Sequence, residues 1–305
     1  MNRRQFSKNV LMTSSMISTF SIPGFPNIIP SFSNINALAN RSLKKGIMWG
    51  SISVGKTILE KFQAAKLAGF EGVEVMSHFD RNEVLKARDA TGLFIPSVCN
   101  AMHWTFLLSD PDPKVRELGV AALKVSLEDA KAYGADIVLL VPGRVSEMVS
   151  YDDCWKRSVD EIKKVVPIAE QLNVKIAIEN VPNNFLLSPM EAASYIDQFQ
   201  SKIVCFYFDC GNIMEYGWPD QWIKILGPRI AKVHIKEYSR KIAEKQGRGA
   251  GYGVKLLEGD VNWPAVMKAL DDIGYNNWTT IEQPGGDSAE GLKDLYSRLT
   301  KIHAS

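Results

Sequence analysis

From Gly46 to the end of the chain, short apolar runs alternate with longer amphipathic ones, and this alternation limits the fold more than any other feature. The apolar runs are GIMWGSI, GVEVMS, IPSVCNAM, DIVLLVPG, KIAIEN, VCFYFDCGN, IAKVHIKEY and WTTIEQPG, eight in all. Most are rich in Val and Ile without polar alternation, the pattern of a parallel sheet covered on both faces. Between them lie segments of helical character. TILEKFQAAKLAG stops at Gly69, and PKVRELGVAALKVSLEDAKAYG stops at Gly134. DDCWKRSVDEIKKVVPIAEQLN carries Pro167, which should kink or break it. SPMEAASYIDQF, the shorter DQWIKILG, DVNWPAVMKALDDIG and AEGLKDLYSRLTKI complete the set. Eight strand–helix units in about 260 residues match the size of a single (β/α)8 TIM barrel, the fold expected over residues 40–305. A doubly wound sheet would want a glycine-rich turn after an early strand. GIMWGSISVGKT contains neither GxGxxG nor GxxxxGK[ST].

Barrel chemistry sits where strands run into their following loops, so polar residues at strand ends carry the information. The fifth run ends in Glu179, the sixth in Asp209, the seventh in His234 and the eighth in Glu282. Each follows several apolar residues. A buried, unpaired carboxylate costs several kcal/mol or stays protonated. Each residue alone reads as a cap, a salt-bridge partner or a structural histidine. Four of them on four consecutive strands call instead for a cation. Three oxygen donors and one nitrogen suit Mn2+ best, with Mg2+, Co2+ and Zn2+ as alternatives.

The motifs AIEN, YFDCGN, KVHIKE and TIEQ, in this order, resemble the xylose isomerase-like TIM barrel superfamily, in its sugar epimerase and isomerase branch. The resemblance covers roughly Gly46 to the C-terminus. It implies that Glu179, Asp209, His234 and Glu282 bind one divalent metal and that Glu179 and Glu282 act as an acid/base pair. EGDVNW resembles the family's segment entering the last strand–helix unit, and Arg240 matches an arginine that holds substrate in the ketose epimerases. Two positions depart from those enzymes. Phe185 stands near the place of a second glutamate, and Asn212 stands where they carry a histidine.

The chemistry of the residues agrees. A metal chelating a carbonyl and its neighbouring hydroxyl stabilises an enediolate, while one carboxylate takes a proton and another returns it from the opposite face. Proton return to the same carbon gives epimerisation, and return to its neighbour gives isomerisation. With a leaving group on the next carbon the same groups give β-elimination, as a lyase acting on 3-keto-glycosides would. A sugar-binding protein without catalysis is a further alternative. His103 and Trp104 offer a ring hydrogen bond and a stacking face to a sugar. Glu74 is expected behind the metal or on a sugar hydroxyl, and Lys236 shares the face of His234 two residues away. GRGAGYG lacks the strand and helix of a dinucleotide turn and reads as a loop near the site, with Arg248 free to approach substrate.

The net charge of +2 argues against nucleic acid as partner, and no segment reads as a membrane span. The expected partner is a small carbohydrate, with a homo-oligomer left open. The four cysteines show no CxxC or zinc spacing and read as free, mostly buried thiols. At the N-terminus, Arg3-Arg4, Phe6, an apolar stretch and Ala37-Leu38-Ala39 together resemble a twin-arginine export signal over residues 1–39. Cleavage after Ala39 and a periplasmic location are the corresponding expectations. Phosphosugars are normally confined to the cytoplasm, so an unphosphorylated substrate is expected too.

Overall fold

The structure, a computed structural model, describes residues 41–305. The export signal expected over residues 1–39 lies outside the described residues. Eight parallel strands close on themselves in sequence order. They are β1 (Lys44–Met48), β2 (Gly72–Met76), β3 (Val98–Cys99), β4 (Ile137–Leu140), β5 (Lys175–Glu179), β6 (Val204–Asp209), β7 (Ile230–Ile235) and β8 (Trp278–Ile281). The helices are α1 (Ile58–Ala68), α2 (Arg81–Thr91), α3 (Pro113–Tyr133), α4 (Tyr151–Lys163), α5 (Val166–Leu172), α6 (Pro189–Asp197), α7 (Cys210–Ile213), α8 (Pro219–Leu226), α9 (Arg240–Gln246), α10 (Trp263–Asp272) and α11 (Ala289–His303). The single (β/α)8 barrel expected from the alternation is the fold observed.

Helix boundaries follow local chemistry. Thr57 accepts from the Glu60 N–H while the Glu60 carboxylate accepts from the Thr57 N–H, a capping box that starts α1. Gly69 (φ 106°) and Gly134 (φ 79°) end α1 and α3 in the left-handed region, where a side chain would be strained. Pro167 sits in the first turn of α5 and separates it from α4. Two elements differ from the pattern. IPSVCNAM supplies only a two-residue strand, because Pro96 has no N–H for the ladder and the Asn100 side chain accepts the Met102 N–H to form a turn. Helix α2 buries only Val84 and Ala87, too little apolar surface to stand out in the sequence.

The strand period of two sorts side chains between two environments. Ile176 and Ile178 of β5, and Phe206 and Phe208 of β6, face the helices. Ala177, Cys205 and Tyr207 pack inside the barrel with Cys99, Ile137 and Leu139. One step further along that inner face come Glu179 and Asp209. The register pairs Glu179 with Tyr207 and Asp209 with His234. Glu282 follows β8 directly, its N–H donating to the Ile235 carbonyl at 3.1 Å. A barrel interior filled mostly with apolar side chains therefore ends, at the strands' C-terminal edge, in a layer of acids. All four cysteines are free and buried. Among the described residues no helix is long and apolar enough to cross a membrane.

Candidate metal centre and substrate pocket

Glu179, Asp209, His234 and Glu282 each present one ligand atom, and these atoms all lie within 4.8 Å of one another. Local bonding fixes where each points. Asn180 locks the ends of β5 and β6 together: its side-chain N–H donates to the Asp209 carbonyl (2.9 Å) and its Oδ1 accepts the Asp209 N–H (3.0 Å). Asp209 Oδ1 accepts the Asn212 N–H at 2.7 Å, which leaves Oδ2 for the cluster. His234 Nδ1 lies 2.9 Å from Glu179 Oε1, 3.1 Å from Glu282 Oε2 and 3.9 Å from Asp209 Oδ2. The other ring nitrogen, Nε2, is 2.9 Å from Glu74 Oε1.

Two buried oxygens of the cluster, Asp209 Oδ2 and Glu282 Oε2, have no hydrogen-bond partner. The Lys236 ammonium is 3.2 and 2.9 Å from them, near enough for Coulomb attraction but poorly aligned for a hydrogen bond. Three carboxylates with one ammonium and one imidazole leave a deficit of positive charge that a divalent cation would fill. The donor set, its spacing and the two orphaned oxygens all fit such an ion.

Electrostatics within the cluster are divided. Burial pushes the Glu179 carboxyl up to about 7, with Glu282 and Asp209 adding to the rise and His234 opposing it. Burial also raises Asp209 against the pull of Lys236. Burial works the same way on Glu282, but Lys236 and His234 outweigh it and hold that carboxyl well below the usual range. Burial disfavours the His234 cation, yet Glu74, Glu282 and Glu179 together lift the imidazole well above its ordinary value. The two candidate proton-transfer groups thus differ in character: Glu179 tends to hold a proton and Glu282 to lack one.

Of the four, Asp209 is fully buried, and the other three, Glu179, His234 and Glu282, line a cavity of about 880 Å³. Its wall includes Ser51, His103, Trp104, Asn212, Lys236, Tyr252, Gln283 and Asp287. His103 Nδ1 accepts the Val141 N–H at 3.2 Å, and burial lowers the ring to about 4, so it is neutral with its proton on Nε2. Its ring meets Trp104 edge-on at 5.5 Å, and Trp104 remains 47% exposed, an open stacking face. The Asn212 side-chain N–H donates to the Asn180 carbonyl, while its Oδ1 accepts from Lys236 at 3.4 Å. A second cavity, of about 860 Å³, lies among the strands' N-terminal ends, with Lys175, Val204, Ala231 and Asn277 on its wall. Among the described residues no ligand cluster reaches it, and barrels of this kind carry their chemistry at the C-terminal ends.

One expectation narrows and two change. Of the two places expected for Glu74, it takes the one behind the cluster, fully buried beneath His234 and away from the pocket wall and any sugar hydroxyl. Arg240 is also off the wall: its guanidinium donates to the Met214 and Gly217 carbonyls and lies over the Trp218 ring at 4.9 Å. Arg248 pairs with Glu215 instead of facing the pocket. The residue that GRGAGYG contributes is Tyr252, whose hydroxyl donates to Glu215 at 2.8 Å and whose ring lies 5.7 Å from the Lys236 ammonium. Gln283 holds the same loop, donating to the Tyr252 and Val254 carbonyls. Neither residue had a sequence signal beyond its nearness to a glycine-rich or strand-end motif. Buried Glu237 anchors the EGDVNW segment by accepting from the Leu257 and Val261 N–H groups and from Trp263 Nε1. Phe185 is 1% exposed and packs against Tyr151, Trp155 and Tyr195, so the loop after β5 brings no additional carboxylate from that position.

Comparison with known proteins agrees with the barrel fold. The family described as xylose isomerase-like TIM barrel matches residues 62–302. An L-ribulose-5-phosphate 3-epimerase of Escherichia coli O1:K1 is 24% identical over 285 residues, covering 87% of this chain and 98% of its own. Among solved structures, an L-ribulose 3-epimerase superposes with a TM-score of 0.74 at 17% identity, over 86% of this chain and 95% of that one. A 3-keto-D-glucoside 4-epimerase from E. coli superposes at 0.71 and 18% identity, over 86% and 100%.

Proposed function

The chain belongs to the xylose isomerase-like TIM barrel family, and we propose that within it the chain is a divalent-metal-dependent sugar isomerase or epimerase acting on an unphosphorylated sugar. One observation carries this reading. Four ligand atoms from β5, β6, β7 and the end of β8 converge within 4.8 Å against a pocket, with two of the carboxylates on its wall. The sugar-epimerase names of the relatives support the reaction class.

When bound, a divalent metal supplies Lewis acidity that stabilises negative charge developing on the substrate's carbonyl and neighbouring hydroxyl oxygens. Glu282, ionised and 30% exposed, is placed to remove the proton from the carbon beside the carbonyl. Glu179, on the wall three strands away and inclined to hold a proton, returns one to the other face. In the reverse direction the two exchange roles. His103 Nε2–H donates to a substrate oxygen, and Trp104 gives a sugar ring its stacking face. Lys236 keeps Glu282 ionised and holds Asn212 in place.

The wall argues for a substrate without phosphate. Among the described residues Lys236 is the only lysine or arginine on it, and its charge is taken by Asp209 and Glu282. Asp287 adds a carboxyl group. This differs from what the name of the E. coli relative implies for that protein. It agrees with the proposed twin-arginine export to the periplasm.

A second reading, β-elimination from a 3-keto-glycoside, uses the same groups. It is favoured by the open Trp104 face, which suits an aglycone or second ring, and by Phe185 and Asn212, which depart from the free-ketose pattern. One assay separates the two. The Mn2+-loaded protein is incubated in D2O with free ketoses and with 3-keto-glucosides. Deuterium in the recovered sugar, absent with Glu179→Gln or Glu282→Gln, is the expected result. Aglycone release without exchange would make the protein a lyase. Neither outcome with Mn2+, Co2+, Zn2+ or Mg2+ would leave a sugar-binding protein.

A further inference from the structure

Glu74 is the one acid beside the cluster that neither the four-ligand set nor the pocket wall accounts for. It comes from β2, where the register sets it opposite Met48, and its side chain is fully buried under His234. One of its oxygens, Oε1, is 2.9 Å from His234 Nε2. The other, Oε2, accepts from the Tyr207 hydroxyl at 2.6 Å and from the Ser97 hydroxyl. The Tyr207 ring also packs against the imidazole, with centroids 4.4 Å apart. Four strands therefore meet in one buried chain of hydrogen bonds: β2 gives Glu74, the segment entering β3 gives Ser97, β6 gives Tyr207 and β7 gives His234.

We propose that Glu74, itself fixed by Tyr207 and Ser97, is the positioning residue that turns His234 so that Nδ1, not Nε2, is the nitrogen offered to the metal. The argument is one of donors and acceptors. A carboxylate only accepts, so a ring nitrogen 2.9 Å from it must carry a hydrogen. Nδ1 also faces carboxylates, 2.9 Å from Glu179 and 3.1 Å from Glu282, so without a metal it carries a hydrogen too. A metal entering among those acids would displace that hydrogen, while the one on Nε2 stays bonded to Glu74. A histidine bonded in this way is locked in tautomer and ring angle, and its charge-bearing partner raises its strength as a donor. Ring rotation would break the Glu74 bond and slide the ring off Tyr207, so the two contacts reinforce each other. This inference rests on the reading of the cluster as a metal centre.

The test uses the full-length protein with Mn2+, Co2+ and Zn2+ as probes. The chain has four histidines, so ring nitrogens in a 15N-histidine sample are few enough to assign. In the Zn2+-loaded protein His234 should show a protonated Nε2 and a proton-free, metal-shifted Nδ1. Glu74→Gln keeps the shape and loses the charge, and should weaken Mn2+ binding about 10–100-fold and shift the visible Co2+ spectrum. Tyr207→Phe should do the same to a smaller degree, and serves if Glu74→Gln does not fold. A metal-bound Nε2, or Mn2+ affinity and Co2+ spectrum unchanged in both variants, would overturn the proposal. If the unaltered protein binds none of the three ions, the metal-centre reading itself fails, an outcome distinct from indifference of a metal-binding protein to Glu74.

Discussion

Among the described residues Lys236 is the only cation within the acidic cluster besides the imidazole, which makes its removal a sharp test of the charge balance. Its ammonium lies 3.2 Å from Asp209 Oδ2 and 2.9 Å from Glu282 Oε2, with only 15% of the side chain exposed. At such distances each attraction is worth about 5 kcal/mol at an effective dielectric constant of ~20, before the cost of burying the ammonium is subtracted. Breaking a buried pair from one side usually costs about 3–5 kcal/mol, because the remaining charge is left without a partner. Lys236→Met should therefore destabilise the metal-free protein by about 3–5 kcal/mol. Saturating Mn2+ should recover at least about 2 kcal/mol of that loss, because the ion supplies the missing positive charge. The assay is urea unfolding followed by tryptophan fluorescence, once in EDTA and once with excess Mn2+. The sign with pH is fixed by direction. Glu282 is held low, so its share is present above the ordinary carboxylate range near ~4.3 and lost as pH falls through its folded value. Lys236 is held high, so its share is present below ~10.4 and lost as pH rises through its folded value. Equal losses in EDTA and Mn2+, within about 0.5 kcal/mol, would refute the idea that ammonium and metal answer the same charge deficit.

Metal binding should also release protons. Without metal, His234 keeps a proton above the ordinary imidazole range and Glu179 keeps one up to about 7. Both values are raised on folding, so metal-free stability should fall with rising pH, from ~4.3 to about 7 for Glu179 and from ~6.5 upward for His234. Mn2+ affinity should accordingly tighten between pH 6 and pH 8, and calorimetry in buffers of different ionisation enthalpy should count more protons released at pH 6. A pH-independent affinity with no release would contradict this. For export, replacing Arg3-Arg4 with Lys-Lys should retain the protein in the cytoplasmic fraction, whereas the parent should appear in the periplasm with its N-terminus at Asn40. Parent protein found only in the cytoplasm would remove the export proposal.

The barrel was legible because eight buried strands cannot hide their apolar runs, and Gly69, Gly134 and Pro167 marked helix ends for reasons of backbone geometry. Helix α2 was not legible, since a surface helix that buries two side chains needs little pattern to hold it. The cluster of Glu179, Asp209, His234 and Glu282 could be read from strand ends because the inward face of a strand is settled by its period of two. Glu179, Asp209 and His234 each fall on the inner face of their strand. The fate of Arg240 and Arg248 could not be read the same way. Both lie in the excursion after β7, where side-chain direction depends on carbonyls and carboxylates from other loops, and each found one there. Glu74 shows the same limit inside the barrel. Its strand position fixed the face, but only the distances to His234, Tyr207 and Ser97 place it below the ligands and out of reach of a sugar.

Lys236, the one lysine or arginine on the wall among the described residues, bears on substrate class and on the step that both readings of the chemistry share. A phosphate-recognising site needs an uncommitted lysine or arginine away from the reacting carbons. Here Lys236 is drawn inward, to Glu282 and Asp209, and Tyr252 closes over it. An ammonium in that position favours an ionised Glu282 and therefore proton abstraction, the step shared by epimerisation and β-elimination. It does not favour one outcome over the other after the proton has left. That choice belongs to the groups that return the proton or release a leaving group. Glu179, lifted by burial to about 7, is suited to returning a proton to carbon. Among the described residues the wall carries one further acid, Asp287. A lyase would need an acid there to protonate a departing oxygen, so Asp287→Asn gives the distinction. Loss of aglycone release with intact solvent exchange would assign Asp287 to elimination. Unchanged exchange with no aglycone release in the parent leaves Glu179 and Glu282 as a sufficient pair for epimerisation.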